Sequence, residues 1–227
     1  MYTSLLKNKT ARIFFLKRIS PVRMLNKNIV FIGIALAILC LIVASLHYPG
    51  GSPKDPDSAG FYWTENYISD LLDYKAVNGA DNPARPFAVA GVLLMGLSTG
   101  FAFVRFARKL RLKSLSVVIK YGGLLLIFLS ALGTLPSQHD LSVTLSIFVN
   151  LLVFFYIMVT LLKSRLAVFK VLSVVFLASF YVAAYMFGTK TGLEYMPLVQ
   201  KTTHIVQIVW ILGLEYFTEK EDFEHLT

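Results

Sequence analysis

Six separate apolar runs, each close to twenty residues, divide this chain and leave few folds open to it. They fall at residues 28–46, 86–106, 115–135, 141–162, 168–188 and 198–217. About 20 apolar residues cross a hydrocarbon core as a helix. Of the 227 residues 56% are apolar and 15% charged, and a soluble domain rarely carries so few charges. The expectation is all-α: a polytopic integral membrane protein, six transmembrane helices in one bundle, with no room for a soluble domain. Residues 1–27 form a basic cytoplasmic leader, 28–217 the six-helix domain and 218–227 a cytoplasmic tail.

Charge sets the orientation. The leader carries Lys7, Lys9, Arg12, Lys17, Arg18, Arg23 and Lys27 without an acid. Its interleaved apolar residues suit either an interfacial helix or a flexible tail, and Pro21 would end a helix there. The second connector is equally basic, with Arg105, Arg108, Lys109, Arg111 and Lys113, and the fourth has Lys163, Arg165 and Lys170. The first, 47–85, carries six acids, and the third, 136–140, has no Lys or Arg. The positive-inside rule then places both termini in the cytoplasm and the long first connector outside, in a plasma or inner membrane. The net charge of +9 is this topology signal, not a nucleic-acid footprint. The single Cys40 excludes an intrachain disulfide.

The 47–85 connector is long for so economical a chain, so the chemistry is expected beside it. Phe61, Tyr62, Trp63 and Tyr67 suit the headgroup level, and a short helix over 65–74 with Thr64 as its cap fits the pattern. Asp70 is the carboxylate to single out, with Asn66, Ser69 and Asn82 as binding groups. His204 and Lys201 lie in the sixth run, where ionisable residues are costly and face protein or water. Gln200, His204 and Gln207 share one helical face. His139, Ser142, Ser146 and Asn150 form a second polar stripe, and Ser130, Thr134 and Ser137 a third. The stripes would line an outward pocket or serve as hydrogen-bond glue between helices. His204, Asp70 and His139 are the catalytic candidates. His47, His139 and His204 come from different segments; brought together they would suit a zinc ion carrying a reactive water.

Four pieces occur in order along the chain: Tyr48-Pro49-Gly50, Asn-Tyr-Ile-Ser-Asp-Leu at 66–71, Gly-Thr-Leu-Pro-Ser-Gln-His at 133–139, and His204. Together they resemble a prokaryotic membrane family, the domain of unknown function nine-nine-eight, itself similar to the FRAG, DRAM and Sfk group. The resemblance spans about 30–217 and departs in the longer outer loop, 53–62, and the basic leader. It implies a six-helix bundle and supports an outer-face site, but no established reaction. Some relatives in the wider group are associated with lipid-anchor remodelling or lipid organisation.

The leading expectation is therefore a pocket of His47, Asn66, Ser69, Asp70, His139 and His204 that binds or modifies a lipid headgroup, in one version as a metal-dependent lipid hydrolase. The alternatives are a small proton-coupled transporter with Lys201 and His204 as its relay, and a membrane partner subunit without a site of its own. The inner halves of the runs are nearly all apolar, which counts against transport. A reporter active only in the cytoplasm, fused after Thr227, is expected to give signal; silence there would reverse the orientation.

Overall fold

The structure is a computed structural model that describes residues 21–226, with side-chain detail from residue 28. The leader expectation for residues 1–20 lies outside the described residues. Six long helices account for most of the rest: α1 (Pro21–His47), α2 (Arg85–Ala107), α3 (Lys113–Leu132), α4 (His139–Lys163), α5 (Ala167–Thr189) and α6 (Met196–Phe217). The described residues contain no β-strand. α1 starts ahead of its apolar run, at Pro21, where the missing N–H costs nothing.

Five of the six helices, α1 to α5, are long and apolar enough to cross a membrane. α6 is as long, but it carries Gln200, Lys201, His204, Gln207 and Glu215. Large apolar side chains such as Phe128, Phe148, Val168 and Ile205 stand exposed around the outside. Contiguous apolar surface on that scale fits a membrane protein.

Packing follows chain order from α1 to α4, and α5 pairs with α6, while α4 and α5 touch only slightly. α6 closes the bundle against α2 and α1. The core centres on Trp210 of α6, which is almost fully buried. Its ring stacks on Phe176 at 5.2 Å and meets Phe154 edge-on at 5.4 Å. Its indole Nε1 donates to Ser173 Oγ at 2.8 Å, so the one polar atom of the ring is satisfied. A smaller apolar cluster lies apart from this core: Ala44, Tyr48, Leu71, Leu72, Ala76, Ala84 and Ala88 bind the α1–α2 connection to both helices.

α2 and α3 approach closely at two glycines. A Cβ at Gly100 would stand 2.4 Å from Ile127 Cγ1 and 2.5 Å from the Gly123 carbonyl oxygen. Small residues allow this kind of contact where lipid offers no hydrophobic drive to pack.

At the opposite end from the connection, Arg105 Nε meets Glu215 Oε1 at 2.7 Å. Lys109 Nζ donates to the carbonyls of Leu214, Glu215 and Thr218 at 2.9–3.1 Å, which satisfies the open C-terminal end of α6. Phe223, from the short 3-10 turn Glu221–Phe223, is buried against Phe106.

Gly100→Val is expected to destabilise the detergent-purified protein by about 1–3 kcal/mol through overpacking of α2 on α3. Gly188→Ala, with nothing within 4 Å of the added Cβ, should be neutral or slightly stabilising. Equal melting temperatures for the two variants would remove the close approach as a stability determinant.

Candidate functional site

The connection between α1 and α2 is built on two glycines and two asparagines. Gly50 and Gly51 adopt positive φ, 142° and 83°. A Cβ on either would run into backbone atoms of the same segment, at 2.4 Å from Ser58 O and from Asn78 N. Asn66 is fully buried and uses both ends of its amide. Its Oδ1 accepts from Tyr62 N at 2.9 Å, and its Nδ2 donates to Gly51 O at 2.8 Å and Asp70 Oδ2 at 3.0 Å. Asn82 closes the far end. Its Nδ2 donates to Asp73 O at 2.9 Å and, over longer distances, to the carbonyls of Leu71 and Asp70. Tyr48 Oη accepts from Val77 N at 3.0 Å. The helix expected over 65–74 is only a 3-10 turn, Ile68–Leu72. Its cap is not Thr64: Asp70 Oδ2 accepts from Tyr67 N at 2.9 Å, tying the turn back on itself.

This folded segment sits on the start of α6. The Lys201 ammonium is buried and donates to the carbonyl oxygens of Asn66 and Pro197. The Phe61 and Trp63 rings lie 5.6 and 6.0 Å from its nitrogen, and Asp70 is within its electrostatic reach. Gln200 Oε1 accepts from Ile68 N at 2.9 Å, and Tyr67 Oη donates to Leu193 O at 3.3 Å. Every anchor on α6 is polar, so the segment is positioned by hydrogen bonds and one charge. On its outer surface Tyr62, Trp63 and Tyr74 are exposed.

Asp70 is half-buried. Both of its hydrogen bonds end on Oδ2, and Oδ1 has no hydrogen-bond partner among the described residues. Burial pushes its carboxyl above the ordinary range, and Asp73 adds to this. The bonds from Asn66 and Tyr67 and the Lys201 charge pull it back only in part. Ser69 makes no side-chain hydrogen bond among the described residues.

Among the described residues no three His, Cys, Asp or Glu side chains are grouped to hold a metal. The three outer histidines stand apart. The exposed His47 ring donates to Val43 O at 2.8 Å and packs on Phe87. His139 pairs with its neighbour Asp140 at 3.1 Å, with Asp73 and Arg85 nearby. Arg85 spans from Leu72 O to Thr134 O and covers the Tyr74 ring at 4.1 Å. The zinc arrangement needs a convergence that these positions do not show.

The polar stripes mostly satisfy themselves at home. Ser130, Thr134 and Asn150 donate to carbonyls three or four residues back in their own helices. Ser142 alone of these reaches another helix, at Leu129 O. His204 differs. Its side chain is exposed although it lies on the same face of α6 as the buried Ile211 and Glu215. Gln207 is the polar side chain beside its ring.

Sequence reasoning passed over Glu215 and Arg105. A lone carboxylate near the end of an apolar run was the available signal. Glu215 Oε2 is buried with no hydrogen-bond partner among the described residues. No protein-family model, no curated protein and no solved structure matches the chain. The likeness to the uncharacterised six-span family therefore rests on the four quoted pieces alone.

Asp70 carries a pH signature. A carboxyl raised by folding favours the docked state when protonated. That stability is full below the unfolded value near ~4 and is lost as pH rises through the raised folded value. Hydrogen exchange at the Tyr67 and Ile68 amides is expected to quicken over that window. Asp70→Asn should flatten the dependence, and an unchanged slope in that variant would assign it to another group, Asp73 first.

Proposed function

We propose that this chain is a six-span protein of the plasma or inner membrane, with both termini in the cytoplasm, whose outer face holds a lipid headgroup beside Asp70. The basic connectors support the orientation. Support for α6 as the sixth span comes from its ends: Lys201 and Glu215 each have a counter-charge in reach, and no Asp, Glu, Lys or Arg lies between them. Intramembrane charges persist where protein compensates them.

One observation carries the headgroup reading. The Asp70 carboxylate lies within electrostatic reach of the Lys201 ammonium at the start of α6, in a segment with exposed aromatic rings, and one carboxylate oxygen has no hydrogen-bond partner among the described residues. Lys201 is spoken for by the loop carbonyl, so it positions the site. The groups left for a ligand are Asp70 Oδ1, without a hydrogen-bond partner among the described residues, and the exposed rings of Tyr62 and Trp63. Carboxylate plus aromatic faces is cation-recognition chemistry. It matches the ammonium of a zwitterionic phospholipid better than a net anionic headgroup. The resemblance to a family with lipid-associated distant relatives points the same way. Asp70 Oδ1 and the two rings are groups that hold a cation, so the reading is one of recognition.

The test is lipid retained by the purified protein, measured by mass spectrometry after exhaustive detergent exchange. Native protein is expected to keep a phospholipid with a cationic headgroup group. Asp70→Asn, nearly isosteric, should lose about tenfold of it, since hydrogen bonds to charged groups contribute about 1.5–3 kcal/mol. Lipid retained equally by a well-folded Asp70→Asn variant would overturn the headgroup site.

A further inference from the structure

The α2–α6 seam changes character along its length. At the inner end Ala102, Phe103 and Phe106 of α2 face Ile211, Leu214 and Glu215 of α6 around a void with no room for a water molecule. Followed outward at three- and four-residue spacing, the α6 face continues through Gln207, His204 and Gln200. The α2 face continues through Thr99, Met95 and Val92. Burial falls off on the same path: Ile211 and Phe103 are almost fully buried, Met95 and Val92 half-buried, and His204 exposed. α2 and α6 touch little compared with the contact α2 makes with α1 and α3.

We infer that α2 and α6 diverge toward the outer face into a crevice that reaches His204, and that it takes the ester region and one acyl chain of a diacyl glycerolipid. Depth supports this occupant. If α6 starts at the outer surface, His204 lies about 12 Å below it at 1.5 Å per residue. Headgroup layers are roughly 5–8 Å thick on each side of a ~30 Å core. His204 thus stands roughly 4–7 Å inside the core, at the level of the first methylenes and just beneath the glycerol esters. Chemistry supports it as well. The α6 wall offers an imidazole N–H and the Gln200 and Gln207 amides, and the α2 wall offers Val92 and Met95 above a Phe103 floor. An ester carbonyl accepts from the first set and a hydrocarbon chain fills the second. The inference rests on the headgroup reading, since the Asp70 site would hold the other end of the same molecule.

Cys40 is the only native thiol, so a Cys40→Ser background allows a clean test. His204→Cys and Ile205→Cys are compared, the second on the outer surface of the same helix at 62% exposure. A membrane-impermeant thiol reagent is added from outside, with and without a short-chain phosphatidylethanolamine. His204→Cys is expected to react at least tenfold faster than Ile205→Cys, and the lipid to slow it severalfold. Equal rates would remove the crevice, and a fast rate that the lipid leaves unchanged would remove the occupant. Met95→Trp, which fills the crevice, should lower lipid retention while the Asp70 pH dependence persists. Retention lost in Asp70→Asn but normal in Met95→Trp would leave the headgroup site standing and overturn the crevice. Retention normal in both would overturn the headgroup reading itself.

Discussion

A buried ammonium at the outer end of α6 governs how the rest of this molecule is arranged. Lys201 cannot be left alone at that depth, because an unpaired charge out of water costs several kcal/mol. α6 supplies only the Pro197 carbonyl. The other acceptor, the two ring faces and the nearby carboxylate all come from the connection between α1 and α2. The loop must therefore fold, and fold in one place. Its positive-φ glycines, the fully used Asn66 and Asn82 amides and the Tyr67–Asp70 turn are the means by which the Asn66 carbonyl is delivered to that ammonium. The apolar cluster under Leu71 and Leu72 fixes the loop's other side to α1 and α2.

The all-helical class and the positions of the long helices were legible because an apolar run of twenty residues permits little else. The helix starts were less so. α1 begins at Pro21, seven residues ahead of the apolar run at 28, since proline suits the first turn. Asn66, Asp70, Asn82 and Lys201 stood out as polar residues in a setting that penalises them, and the structure brings Asn66, Asp70 and Lys201 into one cluster at the start of α6. What could not be read was how they are used. Asn82 organises backbone, Lys201 holds the loop, and Asp70 alone retains an open acceptor. The histidines show the opposite limit. Their shared end of the helices suggested convergence, but residues at one end of a bundle can be separated by its full width. Only the folded structure distinguishes His47, turned back on its own helix, from His204, exposed on the face of α6 that carries the buried Ile211.

The inner end of α6 repeats the logic of the outer end with opposite charge. Glu215 is compensated by Arg105, and Lys109 caps the last carbonyls of the helix. Among the described residues Glu215 Oε2 has no hydrogen-bond partner. Exchange for an apolar pair would often be neutral or favourable. Its effect is positional: it draws α6 against α2 where Phe103 and Ile211 meet.

Pinning α6 at two ends by two different bodies has a geometric consequence. At its inner end the partner is α2 itself, and the helices close to contact distance. At its outer end the partner is the loop, which carries its own thickness of folded backbone and rings and stands on α2 through Leu71, Leu72 and Ala88. A helix held directly against its neighbour at one end and through a spacer at the other must splay. The crevice beside His204 thus follows from where the charges are compensated, without any residue being placed to create it. A wedge that is polar beneath the loop and apolar at its apex is graded in the same direction as a lipid. An aqueous solute would gain nothing from the Phe103–Ile211 floor. A free hydrocarbon would gain nothing from the imidazole. An amphiphile would use both, which is why a lipid is the occupant we propose.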